Sequence, residues 1–182
     1  MPPKIITEAD ILSPEAYLEK RNEMRRSIVA LKKPRRIDVG PFATFYFESY
    51  ATMHQQIQEM LYIEKGGAEQ LEDELTAYNP MIPQGKELTA TLMFEIDDPA
   101  RRGTILRRLT DVELTAFVEV DGEKVYAQPE QEVERTASDG KTPTFSAAAI
   151  AANALLTLCF PVKSQSTIRS PLPGWSLATI AN

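Results

Sequence analysis

His54 is the only histidine in this chain, so proton transfer near neutral pH would fall to it first. Glu48 precedes it and Gln58 stands one helical turn beyond it. Together the three form a set able to pass a proton or hold an anion. Glu64 falls on the apolar arc of the same predicted helix, where an inward carboxylate would be desolvated. Each has a plainer reading: His54 as a packing or capping residue, and Glu64 as part of a fraying helix end. These four residues define the candidate catalytic site.

A second group, Glu95, Asp97 and Asp98, lies where a strand should meet a helix and could hold a divalent cation through oxygen. Asp98 before Pro99 also reads as a helix N-cap, and Asp97 is within sequence reach of Arg101 and Arg102. Glu95 and Asp97 are therefore the candidate metal ligands. One histidine and one cysteine, Cys159, cannot supply a zinc site, and the paired Glu-x-x-His motifs of ferritin-like di-iron proteins do not occur. No Gly-rich phosphate loop, nucleophile elbow or Cys-x-x-Cys appears, so no cofactor-binding residue is assigned. Lys20, Arg21, Arg25, Arg26, Lys32, Lys33, Arg35 and Arg36 concentrate positive charge on and after the first predicted helix. The basic end, Lys32, Lys33, Arg35 and Arg36, reads as a solvated face or as a docking point for an acidic protein or other anion. Nucleic acid ranks last, because the whole chain carries net charge -6.

The elements that must position these residues follow from pattern. Ser13-Pro14-Glu15 is a helix start, and the stripe Tyr17, Met24, Ile28 and Leu31 predicts a helix to about residue 33, stopped by Pro34. A short aromatic run over 42–47 predicts a strand. Tyr50, Met53, Ile57, Met60 and Leu61 predict a second helix over 50–64 ending at Gly66-Gly67. A third, over 68–78, ends at Asn79-Pro80. Residues 87–96 alternate as a half-buried strand, and 100–109 form a short basic helix. Two strands, 112–120 and 123–128, flank Asp121-Gly122, the dipeptide of a tight hairpin turn. The fold class is therefore α+β: a largely antiparallel sheet of about four or more strands with helices packed on one face, formed by helices one to three.

At 182 residues the chain suits one domain able to bury a real core. The lone cysteine, and an N-terminal stretch without a basic start and apolar run, point to a reducing, cytoplasmic setting. The longest uncharged run, 142–162, carries prolines, Asn153 and several hydroxyls, so no membrane role is expected.

Three stretches together resemble a bacterial family known as domain of unknown function 3501. They are Ala30-Leu-Lys-Lys-Pro-Arg-Arg36 running into Val39-Gly-Pro, Thr44-Phe-Tyr-Phe-Glu-Ser-Tyr50 with Gln58-Glu59-Met60, and Tyr78-Asn-Pro-Met-Ile-Pro-Gln-Gly85 followed by Leu88. The resemblance spans about residues 4–141 and implies no activity and no site residues. Relatives are encoded beside rubrerythrin-like and iron–sulfur oxidoreductase proteins, which implies an accessory role in an iron-redox or oxidative-stress pathway.

All 26 acids lie at or before Asp139, and only Lys141, Lys163 and Arg169 are charged beyond it. Relatives end in a strand resembling IDHPNY where this chain reads Ser166-Thr-Ile-Arg-Ser-Pro-Leu-Pro173. Reading one base out of phase from Lys163 permits VAIDNPK. The domain plan is thus 1–141 as one α+β domain, with 142–182 either a buried native segment or a tail in an altered frame.

Overall fold

Helix α1, Pro14–Lys32, starts where Ser13 Oγ accepts from the Ala16 N–H and Pro14 occupies the first turn, so the leading donors are capped or missing. Helix α2, Tyr50–Glu64, is capped by Ser49, whose hydroxyl accepts from the Thr52 N–H while Thr52 Oγ1 accepts from the Ser49 N–H. It ends on Lys65, which takes the left-handed conformation at φ 57, one residue before the glycines. Helix α3, Gly67–Tyr78, runs into a 3-10 turn, Asn79–Met81, at Pro80. Helix α4, Pro99–Arg107, starts at Asp98, whose carboxylate accepts from the Ala100 N–H at 2.9 Å. The computed structural model describes residues 3–109, 112–120, 123–129 and 153–161.

Seven strands occur among them: β1 Arg36–Val39, β2 Ala43–Phe47, β3 Glu87–Glu95, β4 Phe117–Val120, β5 Glu123–Tyr126, β6 Gln128–Pro129 and β7 Asn153–Pro161. Five form one antiparallel sheet in the order β1-β2-β3-β7-β6, and β4 pairs with β5 as a separate hairpin. The expected α+β class with an antiparallel sheet is what the chain forms. Gly40, at φ 63, makes the turn between β1 and β2.

Four details differ from the pattern-based reading. Arg36–Val39 is a strand although its four residues carry no alternation long enough to be read. Val112–Thr115 is a 3-10 turn, so the hairpin strand begins only at Phe117; the Asp121-Gly122 turn lies outside the described residues. On β3, Thr89 and Thr91 are buried as well as Ala90, Leu92 and Phe94, so its centre is enclosed on both faces. The fourth concerns layering. The sheet's apolar cluster joins Phe45, Leu92, Phe94 and Val118 to Leu106 of α4, whereas α2 and α3 surround a second cluster with Ile6, Met53, Ile57, Met81 and Ile82.

Of the segment 142–182, β7 belongs to the main sheet. It pairs with β3 along its whole length, from Glu87 opposite Pro161 to Glu95 opposite Asn153. In this register Ala154, Leu156, Leu158 and Phe160 are the Cα partners of Phe94, Leu92, Ala90 and Leu88.

Candidate functional site

Of the four residues singled out by type, two share a task. His54 and Gln58, one turn apart on α2, both hold the segment that leads into α1. His54 Nε2 donates to the Asp10 carbonyl at 2.8 Å, and its ring stacks on Tyr50 at 6.2 Å. Tyr50 faces the Asp10 carboxylate, which hydrogen bonds from the Thr7 backbone and hydroxyl hold below its ordinary value. Gln58 is 2% exposed and spends its amide on Leu12 alone, accepting from the N–H and donating to the carbonyl.

Glu48 and Glu64 do not converge with these two. Glu48 follows β2, is 6% exposed, and leaves its Oε2 buried without a hydrogen-bond partner. Glu64 is exposed, not inward as its helical phase suggested, because it is the last residue of α2 and turns to accept from Gln70. Burial pushes the Tyr78 hydroxyl up; Gln56 hydrogen-bonds it the other way, and Glu74, Glu64 and Glu48 add to the upward shift.

A third arrangement was not anticipated from sequence. Tyr17 of α1 is fully buried and donates its hydroxyl to Glu59 of α2 at 2.7 Å, while Gln55 donates to the same hydroxyl. Arg21 closes on both Glu59 oxygens and lies 4.7 Å from the Tyr62 ring centre. Burial, then the bond to Glu59, pushes the Tyr17 hydroxyl up to about 12. Burial alone would raise the Glu59 carboxyl, but the bonds from Arg21 and Tyr17 outweigh it and hold it low. The available signal was the coincidence of two i, i+4 pairs, Tyr17/Arg21 and Gln55/Glu59, on neighbouring helices.

Above this lock the two helices part into an open groove of about 480 Å³. Its apolar lining is Met24, Ile28 and Leu31 of α1 with Tyr50 and Ala51 of α2, and His54 lies at its wall. Three of these are the stripe expected to pack. In the structure only Tyr17 of α1 is buried, and Leu31 is 36% exposed.

The basic end follows directly from that groove. Lys32 ends α1, Lys33 and Arg35 form a 3-10 turn with Pro34, and Arg36 opens β1 and pairs with Asp38 at 3.3 Å. Arg35 Nε is buried without a hydrogen-bond partner. At the proposed metal position, Glu95 accepts from the Tyr46 hydroxyl at 2.9 Å, and Asp98 is occupied as a cap. Arg102 donates to the Ile96 carbonyl. Among the described residues no group of three or more metal-ligating side chains converges. No described helix is long and apolar enough to cross a membrane.

A buried interhelical lock, an apolar groove and an antiparallel sheet define an α+β protein whose recognisable features are surfaces. The chain belongs to the family described as protein of unknown function (DUF3501), whose model matches residues 5–147. It is similar to a crystal structure described as a novel protein of unknown function from Burkholderia pseudomallei K96243. The identity is 32%, the TM-score 0.76, and the match covers 88% of this chain and 79% of that one. Curated proteins include no match.

Proposed function

We propose that this protein is a partner-binding accessory domain whose α1–α2 groove docks an acidic amphipathic segment of another protein. The observation that carries the reading is the groove: residues that would ordinarily be core, Met24, Ile28 and Leu31, face an opening, and the cationic run from Lys32 to Arg36 continues from its end. An apolar helix face fits such a groove, and acidic flanks suit the basic end. Relatives' gene neighbours make iron-redox and oxidative-stress proteins the first partners to try.

Titration of a rubrerythrin-like neighbour against the protein tests this. Leu31→Asp, at a position already partly exposed, is expected to weaken binding by about tenfold or more, as removal of a central apolar anchor does. Lys32→Glu with Lys33→Glu is expected to flatten the salt dependence. Affinity unchanged in both variants would remove the groove from the interface.

A second reading, a small enzyme or metal-binding protein, is favoured by one observation, the unpartnered Oε2 of buried Glu48. A carboxylate kept there at a cost to stability is the signature of a functional group. Glu48→Gln is expected to raise stability by about 1 kcal/mol, because it replaces a buried oxygen that has no hydrogen-bond partner. A lowered Tm in that variant would show that the carboxylate serves packing and would end this reading.

A further inference from the structure

His54 is pinned in one tautomer. A carbonyl can only accept, so the bond from Nε2 to the Asp10 carbonyl at 2.8 Å requires the proton of the neutral ring to sit on Nε2. Nδ1 is then a bare acceptor, and among the described residues nothing hydrogen-bonds to it. The ring cannot offer its other nitrogen without breaking that bond, and the stack on Tyr50, with the two planes 11° apart, holds its plane. This ring forms part of the wall of the α1–α2 groove. The lock fixes where along the groove it stands. His54 immediately precedes Gln55, and Lys20 follows Tyr17 by one helical turn, so both lie at the closed end, while Leu31 and the cations after it lie at the other. Roughly 16 Å of α1 separates Lys20 from Leu31, which is about three turns of a docked helix.

We infer that the closed end of the groove reads a hydrogen-bond donor: the docked segment places a hydroxyl or an amide N–H on His54 Nδ1, about three turns from the carboxylates that meet Lys32 and Lys33. This rests on the docking reading given above and adds the polarity of the occupant, with acceptors at one end and a donor at the other. The charged and titratable groups around the ring are Asp10 of the preceding segment, Lys20 and Glu23 of α1, and Tyr50 of α2. Two carboxylates against one ammonium favour a donor over a further carboxylate at this end. The nitrogen that takes the bond is also the one that takes the proton. A histidine ordinarily changes charge between about pH 5 and 8, and the protonated ring has no acceptor left. Docking therefore weakens in acid, the opposite of what an added positive charge in the groove would do for an acidic partner.

The test titrates isotope-labelled, full-length protein with the unlabelled rubrerythrin-like neighbour between about pH 7.5 and about pH 5.5, the span over which a histidine changes charge. Affinity is expected to fall about two- to tenfold across it, the worth of one neutral hydrogen bond. His54→Gln can keep an amide N–H where Nε2 stood and removes the titrating acceptor, so its affinity should be lower than wild type at the neutral end and flat towards the acid end. Because His54 is the only histidine, its ring signals are unambiguous in the wild-type complex, and the midpoint of its titration should fall on docking. That measurement needs no variant and decides the matter if His54→Gln does not fold. A midpoint that rises, with affinity gained in acid, overturns the donor and gives this end of the groove to a carboxylate. A midpoint that does not move overturns contact at His54. Both results leave the docking reading standing where Leu31→Asp still weakens binding. No binding at any pH, or an affinity that Leu31→Asp leaves unchanged, removes the groove from the interface and this inference with it.

Discussion

A chain ended after Lys141 is expected to lose its fold. The deletion removes β7, which pairs with β3 over residues 87–95 and also carries β6. A backbone hydrogen bond contributes about 0.5–1.5 kcal/mol net, and a whole domain is stable by only about 5–15 kcal/mol, so losing a full central ladder exhausts the margin. The exposed edge would also be β3 itself, with Leu88, Ala90, Leu92 and Phe94 along one face, which is a template for aggregation. Expression of residues 1–141 should give insoluble protein, or a species without a cooperative melt. A monodisperse product with the full-length far-UV spectrum would refute this and extend the altered-frame reading to everything beyond Lys141. We confine that proposal to the residues after Pro161, because β7 pairs with β3 along its whole length. The intact mass of protein from its source, compared with 20.4 kDa, checks it.

The second large effect is expected at Tyr17. It is fully buried and joins α1 to α2 through Glu59, Gln55 and an edge-on contact with Tyr62 at 5.7 Å. Tyr17→Ala should cost about 3–5 kcal/mol, the range for truncating a buried aromatic, and leave Glu59 with Arg21, Arg25 and the Gln55 amide. Tyr17→Phe keeps the ring and should cost about 1 kcal/mol. The pH dependence separates hydroxyl from ring. Tyr17 has its folded value raised from 10.0 to about 12, so its contribution is complete below pH 10 and is lost as pH rises towards 12. Glu59 has its folded value lowered from 4.5, so its contribution is present above that pH and is lost as pH falls through the lowered value. Urea unfolding across pH should therefore show an alkaline loss that Tyr17→Phe makes smaller, the raised hydroxyls of Tyr46, Tyr50 and Tyr78 supplying the rest, and an acid loss that remains in that variant. An alkaline profile unchanged by Tyr17→Phe would refute the assignment.

Local chemistry was legible wherever a short-range rule applies. Ser13, Ser49 and Asp98 cap their helices as their types require, and Pro34 and Pro80 bring helical runs to 3-10 turns. Strand β3 was visible because its apolar alternation is long; β1 was invisible because a four-residue edge strand is defined by its partner β2, not by its own pattern. Helical phase failed at Glu64 because a terminal residue can turn its side chain away from the arc that its position predicts.

The candidate site divides along the same line. Sequence alone determined the residue types, the positions of the helices and long strands, and the acid-free stretch after Asp139. Only tertiary structure decided that His54 and Gln58 serve the segment before α1, that Glu48 keeps a buried oxygen unpartnered, and that Glu59 locks Tyr17 and Arg21. The physical reason is range. Caps, turns and periodicity are set by neighbours within a few residues, whereas the function of a polar side chain depends on partners such as Gln84 for Lys4, brought together only when the chain folds.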